Sequence, residues 1–356
     1  MPTLSERVPI TVQAAALRAA FALPKRARRR LAGPPIRMDG QELALDAQLL
    51  LRMLKLSGTT LAGAGSPAVV RARLEASASM VADRTLGDVA TRELRIPTAT
   101  GSIGARLYLP ARLEQPAPML VFYHGGGFVL GSMDSHDNTA RFLAVYAGVR
   151  VLSVDYRLAP EHPFPAGCED ALAAFDYAHA NAEALGVDPA RIAVGGDSAG
   201  GNLSAVVAQQ ATQRGGPAPA FQLLIYPVVD YSARRRSREL FGEGFFLTSA
   251  ELDWFEGHYV PEGIDLTHPQ LSPLLTEDLS GLPPAYLVTA GFDPLRDEGE
   301  EYAHAMRKAG VPVALNRQAD LIHGFVNFLG VGRRFRDATL EIAAALRTGL
   351  ALTVQN

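Results

Sequence analysis

The sequence predicts an α/β fold in which helices flank a mostly parallel, eight-stranded sheet, preceded by a separate helical region. Two observations lead to this prediction. From about residue 90 onward, short β-branched or leucine-rich runs alternate with helical segments. Such alternation is typical of a parallel sheet with helices on both faces. Before that point, the apolar residues recur at helical spacing.

The helical region is predicted to span residues 1–85. Apolar residues recur at helical spacing in residues 43–54 and 69–80, and a Gly- and Thr-containing loop at residues 58–67 joins the two segments. An apolar helical segment at residues 10–23 comes first and a basic run, residues 25–30, follows it. A secretory signal carries its positive charge before the apolar segment, so we predict no cleaved signal and a cytoplasmic location. About the first 40 residues are expected to be flexible or close to a membrane.

The second region, residues 86–356, contains eight strand-like runs. The first two lie close together and are predicted to form a hairpin, and the later ones are apolar enough to be buried on both faces of the sheet. The predicted strands are residues 92–97, 105–109, 119–123, 150–155, 191–194, 222–226, 285–289 and 312–316. The predicted helices between them are residues 138–146, 169–181, 202–213, 295–308 and 335–347.

One connection between predicted strands is too long to be a simple loop. It covers residues 230–282, contains a helical candidate at residues 251–259 and concentrates aromatic side chains. Long loops in compact domains are usually functional. We therefore expect an insertion at about residues 230–270 to form a helical cap over the functional site, together with the N-terminal helices. Its aromatic residues are Phe241, Phe245, Phe246, Trp254, Phe255 and Tyr259.

Composition excludes several classes of protein. A 356-residue chain with 48% hydrophobic and 20% charged residues is typical of a globular protein with a substantial core. A net charge of -3 argues against a nucleic-acid-binding protein. The single cysteine, Cys168, cannot form an intrachain disulfide, and no nucleophile motif surrounds it, so we expect a buried thiol. The sequence contains no run of about 18 consecutive apolar residues, so we predict no transmembrane helix.

Two glycine-rich motifs each follow a predicted strand. His124-Gly125-Gly126-Gly127-Phe128 offers successive backbone N–H groups, and a G-x-S-x-G motif places Ser198 on a sharp turn between strand and helix. We predict Ser198 to be a nucleophile and the N–H groups of Gly126, Gly127 and Ala199 to form an oxyanion hole. A phosphate-binding loop is the competing interpretation of the triple glycine. No Walker lysine follows it, and no G-x-G-x-x-G opens a helix.

A serine nucleophile needs a general base and a carboxylate that orients the base. Asp293 and His323 both follow predicted strands, and with Ser198 they occur in the chain order serine, acid, histidine. The carboxyl ends of parallel strands share one edge of a sheet, so we expect all three side chains to meet there.

Three other carboxylates compete for the acid role. Asp320 is the strongest competitor because it shares a loop with His323. Asp297 and Glu298 are weaker competitors, since they fall in the predicted first turn of a helix, where carboxylates are favoured by the helix dipole. We therefore choose Asp293.

These motifs, with four others in one order, resemble those of the bacterial hormone-sensitive-lipase-like (family IV) carboxylesterases of the α/β-hydrolase superfamily. The resemblance covers roughly residues 118–330 and implies the α/β-hydrolase fold with a helical cap. It also implies hydrolysis of short- to medium-chain carboxylic esters by Ser198, Asp293 and His323, with supporting roles for His124, Gly125, Glu161 and Asp197. The four further motifs are residues 155–161, 226–227, 293–298 and 323–325.

The expected reaction proceeds through a covalent acyl-enzyme and needs no cofactor or metal. His323 must be neutral to accept a proton, so activity is expected to fall as the pH drops through about 6–7. Amidase, thioesterase and acyltransferase activities would use the same site. A non-catalytic receptor for a small ligand would use the same fold.

Partners beyond a small-molecule ester are less strongly indicated. The basic runs at residues 25–30 and 234–238 could form one face that docks a lipase on an anionic membrane, helped by the apolar helix before the first run. We favour the alternative of two unrelated, solvated charge runs. An open sheet leaves an edge strand exposed, and a homodimer paired through the last strand would cover it.

Overall fold

The computed structural model describes residues 9–352 except residues 59, 62–64, 88 and 112. The N-terminal part of this chain is helical, as predicted, and includes one short two-stranded ribbon. Its elements are α1 (Ile10–Ala22), α2 (Lys25–Ala32), β1 (Arg37–Met38), β2 (Gln41–Glu42), α3 (Leu45–Ser57) and α4 (Pro67–Val81). Four residues of the loop predicted at residues 58–67, and the first eight residues of the chain, lie outside the described part.

Eight strands form the central sheet. Its spatial order is β10-β9-β8-β7-β5-β6-β4-β3, and every pairing is parallel except those that β4 makes with β3 and β6. The prediction of a mostly parallel, eight-stranded sheet with an initial hairpin is therefore confirmed. The strands are β3 (Ala90–Thr98), β4 (Gly101–Leu109), β5 (Ala117–Tyr123), β6 (Arg150–Asp155), β7 (Val187–Asp197), β8 (Phe221–Ile225), β9 (Ala285–Phe292) and β10 (Val313–Ile322).

Helices cover both faces of the sheet. The α-helices that follow β5 in the chain are α5 (Asp137–Leu143), α6 (Ala166–Ala180), α7 (Ala199–Gln213), α8 (Arg236–Phe241), α9 (Ser249–Tyr259), α10 (Arg296–Lys308) and α11 (Arg333–Leu352). Apolar side chains of α6, α7 and α10 pack on one face, and those of α5 and α11 pack on the other.

The strand β5 shows how the sheet is buried. Met119, Val121 and Tyr123 belong to one apolar cluster, whereas Leu120 and Phe122 belong to the cluster on the opposite face. All five side chains are fully buried. Because alternate side chains point to opposite faces, a continuous apolar run is what a central strand with two covered faces requires.

The structure contains two helices that were not predicted from the sequence, and it extends the last predicted strand. The basic run at residues 25–30 lies in a helix, α2, and part of the run at residues 234–238 lies in α8. The last strand continues from the predicted end at residue 316 to Ile322. It is an edge strand, so its outward side chains are polar and its sequence lacks the apolar run used to predict the other strands.

Cys168 is fully buried in α6, as predicted. Burial raises the pKa of its thiol to about 12. Within the described part of the chain, no helix combines the length and the apolarity that crossing a bilayer requires.

Candidate active site

The candidate nucleophile occupies a strained turn. Ser198 joins β7 to α7 with φ 57° and ψ -117°, a conformation that a residue with a side chain rarely adopts. A Cβ on Gly196 or Gly200 would overlap the carbonyl oxygen of Tyr123. Glycines are therefore required on both sides of the turn, and they allow it to lie against β5 with the serine at the end of the sheet.

Asp293, His323 and Ser198 form one chain of hydrogen bonds. His323 Nδ1 lies 2.7 Å from Asp293 Oδ2, and His323 Nε2 lies 3.0 Å from Ser198 Oγ. Asp293 is completely buried directly after β9, and His323, directly after β10, is 4% exposed. The second carboxylate oxygen of Asp293 accepts the N–H of Leu295 at 2.8 Å. The edge predicted to hold these three side chains therefore does bring them together.

The contacts of the imidazole determine which nitrogen carries its proton. A carboxylate only accepts hydrogen bonds, so Nδ1 of His323 must carry a proton to bond Asp293. In neutral His323, Nε2 is then free to accept the proton of Ser198 Oγ. This is the arrangement that a serine nucleophile and its base require.

The three competing carboxylates lie elsewhere. Asp320 accepts hydrogen bonds from Arg334, with the closest contact at 2.8 Å. Asp297 accepts the N–H of Ser237 at 2.8 Å. Glu298 Oε1 accepts a backbone N–H in the loop that follows β8. Each of these carboxylates thus bonds a group other than His323, and the choice of Asp293 over them agrees with the geometry.

The glycine loop after β5 faces Ser198 across a cavity. Gly126 and Gly127 have φ values of +121° and +61°, and both line the cavity with Ser198. A Cβ on Gly126 would overlap the carbonyl of Leu130, and one on Gly127 would overlap the ring of Phe255. Among the described residues, the backbone N–H groups of Gly126, Gly127 and Ala199 have no hydrogen-bond acceptor. These are the three groups predicted to form the oxyanion hole.

Asp197 ties the glycine loop to the nucleophile turn. Its Oδ1 accepts the N–H of Gly125 at 2.9 Å, and its Oδ2 accepts the side-chain amide of Asn327 at 3.2 Å. His136 Nε2 lies 3.6 Å from the same oxygen. Burial alone would raise the pKa of the Asp197 carboxyl, but His136, Gly125 and Asn327 outweigh burial and hold that pKa below its usual range.

His124 supports the loop from beneath. It is fully buried, its ring stacks on Tyr156 with centroids 4.4 Å apart, and its Nδ1 lies 2.8 Å from the carbonyl of Gly125. Burial, together with the nearby His136, lowers the pKa of His124 to about 3. Its imidazole is therefore neutral at physiological pH, with the proton on Nδ1.

Glu161, the remaining supporting residue, contacts the N-terminal helices. The guanidinium of Arg71 on α4 donates to Glu161 at 2.7 Å and to the carbonyl oxygens of Val129 and Ala159 at 2.7 and 2.6 Å. Val129 follows the glycine loop directly. Arg71 thus fastens α4 to the segment that carries the candidate oxyanion hole.

Within the described part of the chain, ion pairs involve one arginine of the first basic run and four of the second. In the first run, Arg28 pairs with Asp46 of α3. In the second run, four arginines pair with acidic side chains of other elements. These pairs are Arg234 and Arg238 with Asp253, Arg235 with Asp230, and Arg236 with Asp39. These pairs connect the second run to its neighbours in the fold.

A cavity of about 1580 Å³ leads from the surface to Ser198 and His323. Its walls come from the sheet edge and from α1, α3, α4 and α9, which we call the covering helices. The N–H of Leu61, between α3 and α4, donates to Glu251 of α9 at 2.8 Å, so the two covering segments are joined.

Three residues of this site were not found from the sequence: His136, Asn327 and Arg71. His136 and Asn327 reach Asp197 across 61 and 130 positions of the chain. Asn327 lies four residues after His323, and this proximity was the one available signal. Arg71 gave no signal, because its contacts depend on how α4 packs.

Comparison with known proteins identifies the family. A family model described as the α/β hydrolase fold matches residues 120–327. The carboxylic ester hydrolase LipN of Mycobacterium tuberculosis is 46% identical over 92% of this chain and 89% of its own length. An ethyl acetate hydrolase of Pseudomonas putida is 38% identical over 79% of this chain and 89% of its own.

Solved structures agree. A variant of an α/β-hydrolase enzyme from the metagenome of Lake Arreo, Spain, matches with a TM-score of 0.83 and 41% identity, covering 86% of this chain and 98% of that chain. A hyperthermophilic esterase from Pyrobaculum calidifontis matches with a TM-score of 0.79 and 41% identity, covering 84% of this chain and 97% of that chain. The chain therefore belongs to the α/β-hydrolase family, within its hormone-sensitive-lipase-like branch of carboxylic ester hydrolases.

Proposed function

We propose that this ester hydrolase cleaves short- to medium-chain acyl esters with Ser198 as nucleophile, His323 as general base and Asp293 as the orienting acid. One observation carries the proposal: the hydrogen-bonded chain from Asp293 through His323 to Ser198 ends at the floor of a cavity large enough for a small ester. The Oγ of Ser198 is thus next to both a base and a space for substrate.

The reaction begins when Ser198 Oγ attacks the ester carbonyl while His323 Nε2 takes its proton. The carbonyl oxygen becomes an oxyanion and accepts hydrogen bonds from the N–H groups of Gly126, Gly127 and Ala199. His323 then donates the proton to the leaving alcohol, and the acyl group remains on Ser198. Water, deprotonated by His323, attacks this acyl-enzyme. His323 then returns the proton to Ser198 Oγ as the carboxylic acid leaves.

The substrate class rests on the cavity and on the relatives. Apolar side chains of the covering helices line much of the cavity, including Leu252 and Phe255 of α9 and Leu54 of α3. Such a wall suits an apolar acyl or alcohol group. The relative named ethyl acetate hydrolase, by its name, acts on a short ester.

We also propose that residues 1–85 and the insertion at about residues 230–270 act together as a cap on a catalytic domain at residues 86–356. Two contacts support this division. Glu251 of the insertion accepts the N–H of Leu61, and Arg71 of α4 donates a hydrogen bond to the carbonyl oxygen of Val129, directly after the glycine loop. A cap of this kind would exclude water and shape the acyl pocket.

The test is hydrolysis of a chain-length series of aryl esters by the wild type and by Ser198→Ala. We expect a maximum at short acyl chains in the wild type and loss of activity in the variant. A well-folded wild type that leaves all the aryl esters intact would contradict the proposal. Amide and thioester substrates and ligand-binding screens would then follow.

A further inference from the structure

Glu298 places a buried carboxyl group in the wall of the cavity. The residue lies in the first turn of α10, is 6% exposed, and lines the same cavity as Ser198 and His323. Its Oε1 accepts the backbone N–H groups of Val229 at 2.8 Å and Asp230 at 3.4 Å. Within the described part of the chain, Oε2 has no hydrogen-bond partner, and the reaction proposed above does not use it.

Two hydrogen bonds of neighbouring residues connect the surroundings of Glu298 to the reacting groups. Val228, next to the backbone that Glu298 holds, accepts a hydrogen bond from Asn202, one helical turn beyond Ser198. On the other side, Glu298 lies one turn after Leu295, whose N–H bonds Asp293. The backbone that Glu298 holds is thus next to a residue that contacts the nucleophile helix, and Glu298 itself lies on the helix that follows the acid loop.

The cavity wall near Glu298 combines apolar and polar side chains. Val228 and Leu295 line the cavity, and so do Asp230 and Ser232. Arg235, the cation that acts on the Glu298 carboxyl, pairs with Asp230 at 2.6 Å and with Glu301 at 3.0 Å. The titratable and charged groups that face this region from the packed elements are Asp230, Tyr231, Arg235 and Glu256.

The protonation state follows from this setting. Burial raises the pKa of the Glu298 carboxyl to about 8, against the opposing effects of the Val229 N–H and Arg235. This raised pKa favours the protonated form near pH 7. Since Oε1 is occupied as an acceptor, the proton resides on Oε2, which can then donate a hydrogen bond to a molecule in the cavity.

We propose that Glu298 is a specificity-determining residue that donates a hydrogen bond from Oε2 to an acceptor oxygen of the substrate. The favoured substrates are esters with an ether or keto oxygen on the limb that lies against this wall, in preference to esters with plain alkyl limbs of the same length. This inference rests on the proposed ester hydrolysis and specifies its substrate class.

The test compares kcat/KM for matched ester pairs that differ in one acceptor oxygen. Butyl acetate against 2-methoxyethyl acetate probes the alcohol limb, and aryl pentanoate against aryl 4-oxopentanoate probes the acyl limb. In the wild type at pH 7, we expect one pair to show a preference of roughly three- to tenfold for the acceptor-bearing ester. Glu298→Met should abolish that preference. Because this variant also removes the acceptor of the Val229 N–H, the comparison uses the kcat/KM ratio within each ester pair and not the absolute rate.

A second variant separates donation from folding. Glu298→Gln keeps an oxygen for the N–H of Val229 and replaces the Oε2 hydroxyl by an amide donor. We expect this variant to keep the preference at pH 7 and at pH 9. The wild type should lose its preference at pH 9, because its ionised carboxylate no longer donates. A role in folding alone would not produce this difference.

Two results would overturn the inference: equal preference ratios in the wild type and Glu298→Met, or equal pH dependence in the wild type and Glu298→Gln. Failure of the wild type to hydrolyse even the alkyl esters is a different outcome, and it would contradict the proposed function instead.

Discussion

The sheet edge and the covering helices are held in place by different kinds of contact. At the sheet edge, backbone close in the sequence fixes several reactive groups: Leu295 orients Asp293 two residues away, and glycines beside Ser198 permit its strained turn. The covering helices contact the site through side chains that are distant in the sequence. For example, the Arg71 guanidinium donates a hydrogen bond to the carbonyl oxygen of Val129. Reaction chemistry is thus encoded in short motifs, whereas access and selectivity depend on long-range packing.

Among the changes considered, replacing the orienting acid at the sheet edge should lower kcat most. Asp293→Asn is expected to lower kcat by roughly 10³- to 10⁴-fold, because the amide cannot hold His323 in the tautomer that accepts the proton of Ser198. Steady-state kinetics on an aryl ester measures this loss. Asp320→Asn is the matched control, since Asp320 pairs with Arg334. Comparable losses in the two variants would show that the acid had been assigned incorrectly.

Adding a methyl group to the glycine loop should have the next largest effect. Gly126→Ala places a Cβ on the carbonyl of Leu130 and must displace the loop. We expect kcat to fall by roughly 10²-fold, as for loss of one oxyanion donor. Gly148→Ala is the control, because Gly148 also has a positive φ, +67°, but its nearest contact is 3.8 Å away. A kcat for Gly126→Ala equal to that of the control would contradict this role of the loop.

Releasing the covering helices should affect binding more than chemistry. Arg71→Met removes the hydrogen bonds that fasten α4 while keeping an unbranched side chain. We expect KM for medium-chain esters to rise roughly three- to tenfold, with kcat changed less than about threefold. Arg317→Met, which breaks an ion pair with Glu300, serves as the control. A fall in kcat at constant KM would mean that Arg71 acts on the reaction itself.

The exposed arginines should have the smallest effect. Arg234→Gln and Arg236→Gln together are expected to change the free energy of unfolding by less than about 1 kcal/mol, since both side chains are largely exposed and such surface pairs contribute little. Hydrolysis should not change. Sedimentation with anionic vesicles measures the alternative of membrane docking. Salt-sensitive binding that the double variant loses would revive that alternative.

Much of the sheet edge could be predicted because its signals are local. Parallel strands end at one edge, so a residue directly after a strand, such as Asp293 or His323, has a predictable location. The extent of β10 could not be predicted in the same way. Its Arg317 and Asp320 look like loop residues in the sequence, and only partners on other elements, Glu300 and Arg334, explain their place in an edge strand.

The N-terminal helices were less predictable, because their positions also depend on partners far away in the sequence. Helix α2 is strongly basic, and its sequence predicted a solvated or membrane-facing run without indicating that the run is helical or that one of its arginines pairs with α3. The pairing of Arg28 with Asp46, 18 positions away, is invisible to any local pattern. The clamp of His136 and Asn327 on Asp197 likewise spans distant segments, although Asp197 itself lies within the serine motif.

The most direct test of the central claim is to label the nucleophile with a p-nitrophenyl alkylphosphonate. Ser198 Oγ forms the bond to phosphorus, nitrophenolate leaves, and His323 takes the serine proton. Intact mass and peptide mapping should find one adduct per chain, on Ser198, with activity lost in proportion, and no adduct on folded Ser198→Ala. Equal labelling of both proteins, or inactivation with the adduct on another residue, would contradict the assignment of Ser198 as nucleophile.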